Sequence, residues 1–219
     1  QTSALLVPDA KVLLAHLAVA GRPMSPKLAL MSAGIKRGGR GLVHDLRALN
    51  LVRTRDVGGV RMLEVCHDRI RDRVIGALSP DESRALYESL FRTLERSGQA
   101  EPDWLHALSL AAKLTSEAIQ YGKAAAARAR KSLAFDRAAS LYRSCIALEP
   151  SAELWKELSM ALARGGRGVA AAEAALEAAK RVPDDETIDW TQLAAAHYMR
   201  SGHFAQGEAL GILEVGGDR

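Results

Sequence analysis

Aromatic residues and long apolar runs are both scarce in this 219-residue chain. Only 5% of the residues are aromatic, whereas 48% are hydrophobic and 26% are charged. The core must therefore consist mostly of alanine, leucine and valine, which favours packed helices over a β-sandwich. Charged residues interrupt every apolar run before it reaches the roughly 20 residues of a membrane-spanning helix. We expect a helical, soluble, cytoplasmic chain with no membrane partner.

Cysteine is nearly absent, and no leader segment is recognisable. Cys66 and Cys145 are too far apart for a metal-binding spacing and too few for a disulfide framework, so reduced thiols are expected. The first residues, 1–3, contain no methionine and no basic or cleavage-type segment. This start, and the abrupt ending at residues 215–219, predict a piece of a longer protein.

Catalytic motifs are also missing. Gly122-Lys123 precedes an alanine, whereas a phosphate-binding loop requires serine or threonine there. The glycine-rich run at residues 38–41 follows no apolar strand, so we predict a flexible connection between helices. No histidine pair has the spacing of a zincin, and we expect no metal at His197 and His203. The segment is predicted to be no enzyme and to hold no cofactor by itself.

The charge is divided unevenly along the chain. Residues 1–80 contain 13 Lys and Arg against 6 Asp and Glu, a net charge of +7, whereas residues 81–219 contain 17 against 20, a net charge of −3. A basic first third followed by a mildly acidic remainder predicts two modules with different roles.

The basic part, residues 1–78, combines three predicted helices with a hairpin. Helices are expected over residues 9–20, from Ser25-Pro26 to Gly34, and after residue 41. Two arms rich in β-branched residues flank Gly58-Gly59, which is typical of a β-hairpin. This order predicts a winged helix. Its expected shared core is Leu13, Leu17, Leu46, Leu49, Ile70 and Val74.

The remaining chain contains only helical signals. Ser79 and Glu82 form a predicted capping box that starts the linking helices of residues 79–117. Residues 118–219 repeat with a period near 34, which is the length of a tetratricopeptide unit. The fold class is therefore mainly α, a winged helix followed by a tetratricopeptide-like array. An alanine-rich helical bundle is the alternative for the second part.

One short constellation could bind an anion. His67 and Asp68 lie where the second hairpin strand is expected to give way to a helix. The free amides and the positive end of a helix dipole at such a junction can hold a phosphate, and a histidine can donate a hydrogen bond to it. The alternative is that Asp68 only caps the helix and His67 is a surface residue.

Three stretches stand out in order along the chain: residues 17–23 (LAVAGRP), 67–71 (HDRIR) and 134–142 (AFDRAASLY). The winged helix followed by His67-Asp68 resembles that of signal-transduction ATPases with numerous domains, the class that includes apoptotic and plant-resistance ATPases. The three stretches together resemble the region after the ATPase core in large bacterial proteins. In that family a Met-His-Asp motif at this junction contacts the β-phosphate of ADP and holds the inactive state; here Cys66 replaces the methionine. Bacterial members often begin with a serine/threonine kinase domain.

The resemblance implies a non-catalytic regulatory and interaction segment. Its winged helix would sense the nucleotide state, with His67 and Asp68 contacting ADP only beside an upstream ATPase core in the same chain. ADP or ATP would thus be a cofactor of the full-length protein, which could also be a kinase. The repeats would bind a protein or peptide partner in the groove lined by the first helix of each pair. The residues expected there are Lys156, Arg164, Gln192 and His197.

A DNA-binding regulator with a repeat effector arm is the alternative function. The net charge of +7 supports it, because a basic third helix could enter a major groove while arginines of the wing contact the backbone. The helix residues that would bind nucleic acid are Arg40, His44 and Arg47. The wing residues are Arg53, Arg55 and Arg61.

Overall fold

A computed structural model describes residues 6–215, with side chains to residue 211. The chain ends considered above, residues 1–3 and 216–219, lie outside the described residues. Within the described part the elements are α1 (Pro8–Ala20), α2 (Pro26–Ser32), α3 (Gly39–Ala48), β1 (Val52–Val57), β2 (Val60–Val65), α4 (Asp68–Gly76), α5 (Pro80–Ser97), α6 (Pro102–Ala111), α7 (Thr115–Lys131), α8 (Phe135–Leu148), α9 (Ala152–Arg164), α10 (Gly168–Ala179), α11 (Asp184–Arg200) and α12 (Phe204–Val215).

The chain divides into two compact units, Gln1–Ala118 and Ile119–Arg219. The division falls at the predicted start of the repeats. The predicted linking helices, residues 79–117, lie in the first unit together with the three helices and the hairpin.

Local sequence signals set the first two helices. Pro8 occupies the first helical position of α1, where its missing N–H costs nothing. Gly21 ends the helix with a left-handed φ of 61°, a conformation that suits glycine. At the start of α2, the hydroxyl of Ser25 accepts a hydrogen bond from the Leu28 amide at 3.3 Å. Both helices therefore begin and end close to the predicted positions.

The third helix begins earlier than expected. Gly38, at φ 73°, is its N-cap residue, and Gly39 is its first helical residue. The prediction of a flexible connection through residues 38–41 was therefore wrong for residues 39–41, which form the first turn of α3. A Cβ on Gly39 would lie only 2.5 Å from a methyl of Leu30, so glycine lets the helix start against α2.

The hairpin is confirmed at its predicted place. Strands β1 and β2 pair antiparallel, from Val52 opposite Val65 to Val57 opposite Val60. The turn residues between them, Gly58 and Gly59, have φ values of 60° and 78°, as a type I′ turn requires. A further antiparallel bridge joins Met24 and Leu63, which anchors the hairpin to the chain before α2.

The predicted core of the first unit is only partly correct. Leu13, Leu17 and Leu46 are buried, with 2% or less of their surface exposed. Leu49 is 42% exposed, because it follows the last residue of α3 and lies outside the helical face. Ile70 and Val74 are half-buried, and α4 has no buried residue. One side of α4 therefore presents apolar side chains that the described residues of this unit cover only in part.

Helices α5 and α6 complete the first unit. The capping box at the start of α5 is confirmed, since the Glu82 amide donates to the Ser79 hydroxyl at 3.2 Å and the Ser79 amide donates to the Glu82 carboxylate at 2.8 Å. On α6, the indole N–H of Trp104 donates to the Ala20 carbonyl at 3.1 Å. This bond fixes α6 beside the end of α1.

The second unit consists of helix pairs, and the same type of turn recurs inside each pair. Leu133, Gly166 and Gly202 have left-handed φ values of 59°, 74° and 79°, and each follows the first helix of a pair. The spacings of 33 and 36 residues agree with the predicted period. Small residues let the paired helices approach, and the hydroxyl of Ser159 on α9 donates to the Ala171 carbonyl on α10 at 2.8 Å.

Ion pairs repeat with the same period. Lys123 Nζ lies 2.7 Å from Glu153 Oε1, and Lys156 Nζ lies 3.0 Å from Glu186 Oε2. Both partners advance by 33 residues from the first pair to the second, so equivalent surface positions of successive units carry equivalent charges. These exposed pairs show which positions of successive repeats are equivalent, although each pair contributes little to stability.

Candidate functional site

A cleft of about 340 Å³ lies at the junction of β2 and α4. The end of α1, both hairpin strands and the first turn of α4 surround it. Residues from all four elements line the cleft: Gly21, Arg22, Arg53, Glu64, Cys66, His67, Asp68 and Arg71 among them. The two residues proposed to contact a phosphate, His67 and Asp68, are thus brought together with three arginines.

His67 is the N-cap residue of α4, with extended backbone angles of −143° and 145°. Its carbonyl accepts hydrogen bonds from the amides of Ile70 and Arg71. The amides of Asp68 and Arg69 precede these bonds, so they have no partner within the helix. The imidazole of His67 is exposed and makes no capping bond.

Asp68 does not cap the helix. It is the first helical residue, and its exposed carboxylate lies 3.3 Å from Arg71 Nη1. The expectation that Asp68 is the N-cap is therefore corrected, because the change from extended to helical backbone occurs one residue earlier. A carboxylate in the first turn interacts favourably with the helix dipole, but it would compete with an anion for Arg71.

The other charges of the cleft are mostly compensated. Arg53 and Glu64 face each other across the hairpin, and their side chains form an ion pair at 2.7 Å. Arg71 also lies 3.7 Å from Asp72. Three arginines and two carboxylates, those of Glu64 and Asp68, line the cleft, which leaves a net charge of +1 without His67.

Arg22 is the cation of the cleft that lacks an acidic partner. No carboxylate among the described residues lies within 4 Å of its guanidinium. The guanidinium carbon lies instead 5.7 Å from the centroid of the Trp104 ring, and the hydrogen bond from Trp104 to Ala20 holds that ring in place. Sequence reasoning did not select Arg22, although it lies within the family-like stretch 17–23 directly after the left-handed Gly21.

The thiol of Cys66 lines the same cleft. Partial burial, more than any neighbouring charge, raises its pKa, so the thiol stays protonated at neutral pH. The Cys66 amide donates to the Leu51 carbonyl at 3.0 Å, which fixes the end of β2. Cys66 is thus a neutral spacer here and no activated nucleophile.

The basic face of α3 is open to solvent. Arg40, His44 and Arg47 are all exposed, and their spacing of four and three residues puts them on one side of the helix. No carboxylate among the described residues lies within 4 Å of either arginine. In the hairpin, by contrast, Arg53 and Arg55 share Glu64.

The expected partner-binding residues of the repeats differ in accessibility. Arg164 and Gln192 are exposed. Lys156 is paired with Glu186, and its ammonium lies 4.9 Å from the centroid of the Trp190 ring. His197 is only 7% exposed, and burial lowers its pKa. His197 is therefore part of the packing of α11 and is not accessible to a partner.

The described residues contain neither a metal-binding cluster nor a membrane-spanning helix. No group of three or more His, Cys, Asp or Glu side chains there is arranged to hold a metal ion. Within the same residues, no helix combines the length and apolar character needed to cross a membrane.

The fold described above resembles that of a solved protein, although the sequence itself gives no match. No family model matches the sequence, and no curated protein matches it. The crystal structure of a signal-transduction ATPase with numerous domains (STAND) from Pyrococcus horikoshii, which has a tetratricopeptide repeat sensor, matches 94% of this chain at 15% identity and a TM-score of 0.60. The chain covers 31% of that protein. It therefore shares its mainly helical fold, with a tetratricopeptide-like region, with part of a STAND protein.

Proposed function

We propose that this chain is a non-catalytic regulatory segment of a signalling ATPase. Its first unit is a winged helix that senses whether ADP occupies an adjoining ATPase core, and its repeats bind a protein partner. The proposal rests on one observation above all, the cleft at the start of α4 where helix-end amides, His67 and the unpaired Arg22 converge. The shared fold with part of a STAND protein supports it.

The groups in the cleft suit a terminal phosphate of a nucleotide. The amides of Asp68 and Arg69 point from a helix N-terminus, which favours anions. His67 and Arg22 add donors from two sides, and each charge-assisted hydrogen bond contributes roughly 1.5–3 kcal/mol. A net lining charge of +1 is too small to hold ADP alone. The cleft therefore works as one half of a site, with the ATPase core as the other half.

Such a contact would make the winged helix a switch. The bond from His67 exists only when the domain is docked over ADP, so it stabilises the closed state and not the open one. Losing about 2 kcal/mol of this bias would change the ratio of closed to open protein by roughly thirty-fold. The isolated chain has no catalytic machinery in this proposal, so it neither hydrolyses ATP nor transfers phosphate.

Hydrogen–deuterium exchange on the full-length protein tests the location of the contact. Addition of ADP should slow exchange of the amides at residues 66–71, which the phosphate would cover. The isolated chain should show no such protection at the same ADP concentration. If ADP protects the core of the full-length protein but leaves residues 66–71 unchanged, the cleft does not take part in nucleotide sensing.

The repeats are proposed to bind a peptide through the exposed side chains of α9 and α11. Arg164 and Gln192 are available for this contact, and Lys156 can contribute only by leaving Glu186. Proteins retained by the chain would be compared with those retained by an Arg164→Glu/Gln192→Ala variant. Arg143→Glu, an exposed change on α8, is the control. Identical partners for all three proteins would contradict a binding role for this face.

DNA binding is kept as a second candidate function because the basic face of α3 is exposed and unpaired. If it operates, a short DNA duplex should bind the chain, and the logarithm of the affinity should fall linearly with the logarithm of the salt concentration. An Arg40→Glu/Arg47→Glu variant should abolish this binding. If the chain binds no DNA even at low salt, it is not a DNA-binding regulator.

The upstream kinase domain and the cytoplasmic location remain predictions.

A further inference from the structure

A second opening in the first unit lies between α1 and α4. It is an apolar groove of about 780 Å³, more than twice the volume of the cleft at His67. No residue lines both openings, so the groove is separate from the proposed nucleotide contact. Its apolar floor includes Leu14 of α1, Leu51, and Ile70, Val74 and Leu78 of α4 and its end.

The groove exists because the described residues of the first unit cover the apolar side of α4 only in part. Ile70 and Val74 lie one helical turn apart and are half-buried, and α4 contains no buried residue. Leu14 on the facing helix is 4% exposed. Apolar side chains at such a spacing normally face a protein interior. Covering them would therefore release water from apolar surface and favour binding.

Three cations surround this floor. Lys11 lies on α1, and Arg69 and Arg73 lie one turn apart on α4; all three line the groove and are exposed. No carboxylate among the described residues lies within 4 Å of their charged nitrogens. Arg71 on the same helix differs, because it is paired with Asp68 and Asp72. The rim of the groove is therefore positive and uncompensated.

We infer that the groove binds an amphipathic helix whose apolar stripe is flanked by acidic residues. The apolar floor would take the stripe, and the three cations would pair with carboxylates on its flanks, as in other helix-in-groove complexes. A nucleic acid would match the cations but leave the apolar floor uncovered. Since α4 has nine residues and a helix rises about 1.5 Å per residue with about 3.6 residues per turn, the bound segment needs about two to three turns to match it.

The test uses a defined probe. A synthetic peptide of about three to four turns carries leucine at positions i, i+3, i+4 and i+7 and glutamate between them. Its binding to the whole chain is followed by fluorescence anisotropy. A second peptide with the same leucines but lysine in place of glutamate is the matched control. The acidic peptide should bind, and its affinity should fall as the salt concentration rises.

Variants of the chain test the two components separately. Arg69→Glu/Arg73→Glu should weaken binding of the acidic peptide at least about tenfold, which corresponds to 1.4 kcal/mol, and should favour the basic peptide. Val74→Asp should weaken both. Arg37→Glu, which reverses an exposed charge in the loop before α3, is the control and should leave binding unchanged. Far-UV circular dichroism confirms that each variant keeps its helix content.

Four results would overturn the inference. The first is failure of the acidic peptide to bind, and the second is equal binding of both peptides. The third is self-association of the chain that the Arg69→Glu/Arg73→Glu variant abolishes, which would make a second copy the occupant. The fourth is binding that requires removal of residues 1–5, which would make the chain's own start the occupant. None of these results depends on whether His67 contacts ADP.

Discussion

The turn between α7 and α8 offers a sharp test of the repeat architecture. Leu133 has the left-handed φ of 59° that the equivalent turns give to Gly166 and Gly202, and 73% of its surface is exposed. A non-glycine residue in this conformation costs about 1–2 kcal/mol, whereas the greater freedom of glycine in the unfolded chain costs about 0.5–1 kcal/mol. Leu133→Gly should therefore raise the free energy of unfolding by about 0.5–1 kcal/mol.

At the next turn, replacing glycine by a residue with a Cβ should change the free energy of unfolding in the opposite direction. A Cβ on Gly166 would meet no atom within 4 Å, so Gly166→Ala acts through the backbone alone and should lower the free energy of unfolding by about 1 kcal/mol. Urea denaturation of the whole chain, followed by far-UV circular dichroism, measures both changes. In a chain of this size each kcal/mol corresponds to a shift of about 2–4 °C in Tm.

Leu133→Ala separates backbone strain from loss of the side chain. It removes the exposed leucine but keeps a residue with a Cβ, so it should not stabilise the chain as glycine does. Equal stabilisation by alanine and glycine would show that the leucine side chain, and not the left-handed backbone, is unfavourable. A neutral or destabilising Leu133→Gly would refute the equivalence of the three turns.

Three further predictions concern the effect of buried residues on stability, one of them through its pKa. Leu46→Ala should lower the free energy of unfolding by about 2–5 kcal/mol, whereas the same change at the exposed Leu49 should cost less than about 1 kcal/mol, both measured by urea denaturation. Gly168→Ala should cost about 1–3 kcal/mol, because the new Cβ overlaps the Ser201 hydroxyl, and adding Ser201→Ala should recover part of it. Burial lowers the pKa of His16 below the ordinary histidine value, which is about 6.5. Near that ordinary value the unfolded chain therefore binds more protons than the folded chain, and the stability should fall as the pH drops through it. In denaturation curves between about pH 7.5 and 5.5, His16→Gln should reduce this slope.

Structural features that depend on a few adjacent residues were predicted well. The Gly58-Gly59 turn and the capping box of Ser79 and Glu82 need only local backbone angles and short-range hydrogen bonds, so the sequence contains all the necessary information. The repeat period is similarly visible, because equivalent residues recur along the chain. The hairpin, the capped helix and the helical pairs accordingly lie where they were expected.

Features that depend on tertiary packing were missed. Helical periodicity placed Ile70 and His197 on helix faces but could not tell which face is covered, and the structure leaves Ile70 half-buried and buries His197. The N-cap was misplaced by one residue, because Asp68 is a preferred N-cap type but the extended backbone already ends at His67. The contact of Arg22 with Trp104 joins residues far apart in the chain, and no spacing rule reveals it.

The rate of ADP release from the full-length protein tests the central proposal most directly. A fluorescent ADP analogue would be displaced by excess unlabelled nucleotide from the wild type, His67→Ala and Arg22→Ala, with Arg37→Ala, an exposed change away from the cleft, as the control. Loss of roughly 2 kcal/mol of contact should speed release by about thirty-fold for His67→Ala, with a change in the same direction for Arg22→Ala and none for the control. Equal release rates for the wild type and both cleft variants would contradict the account and leave His67 as a surface residue at a helix start.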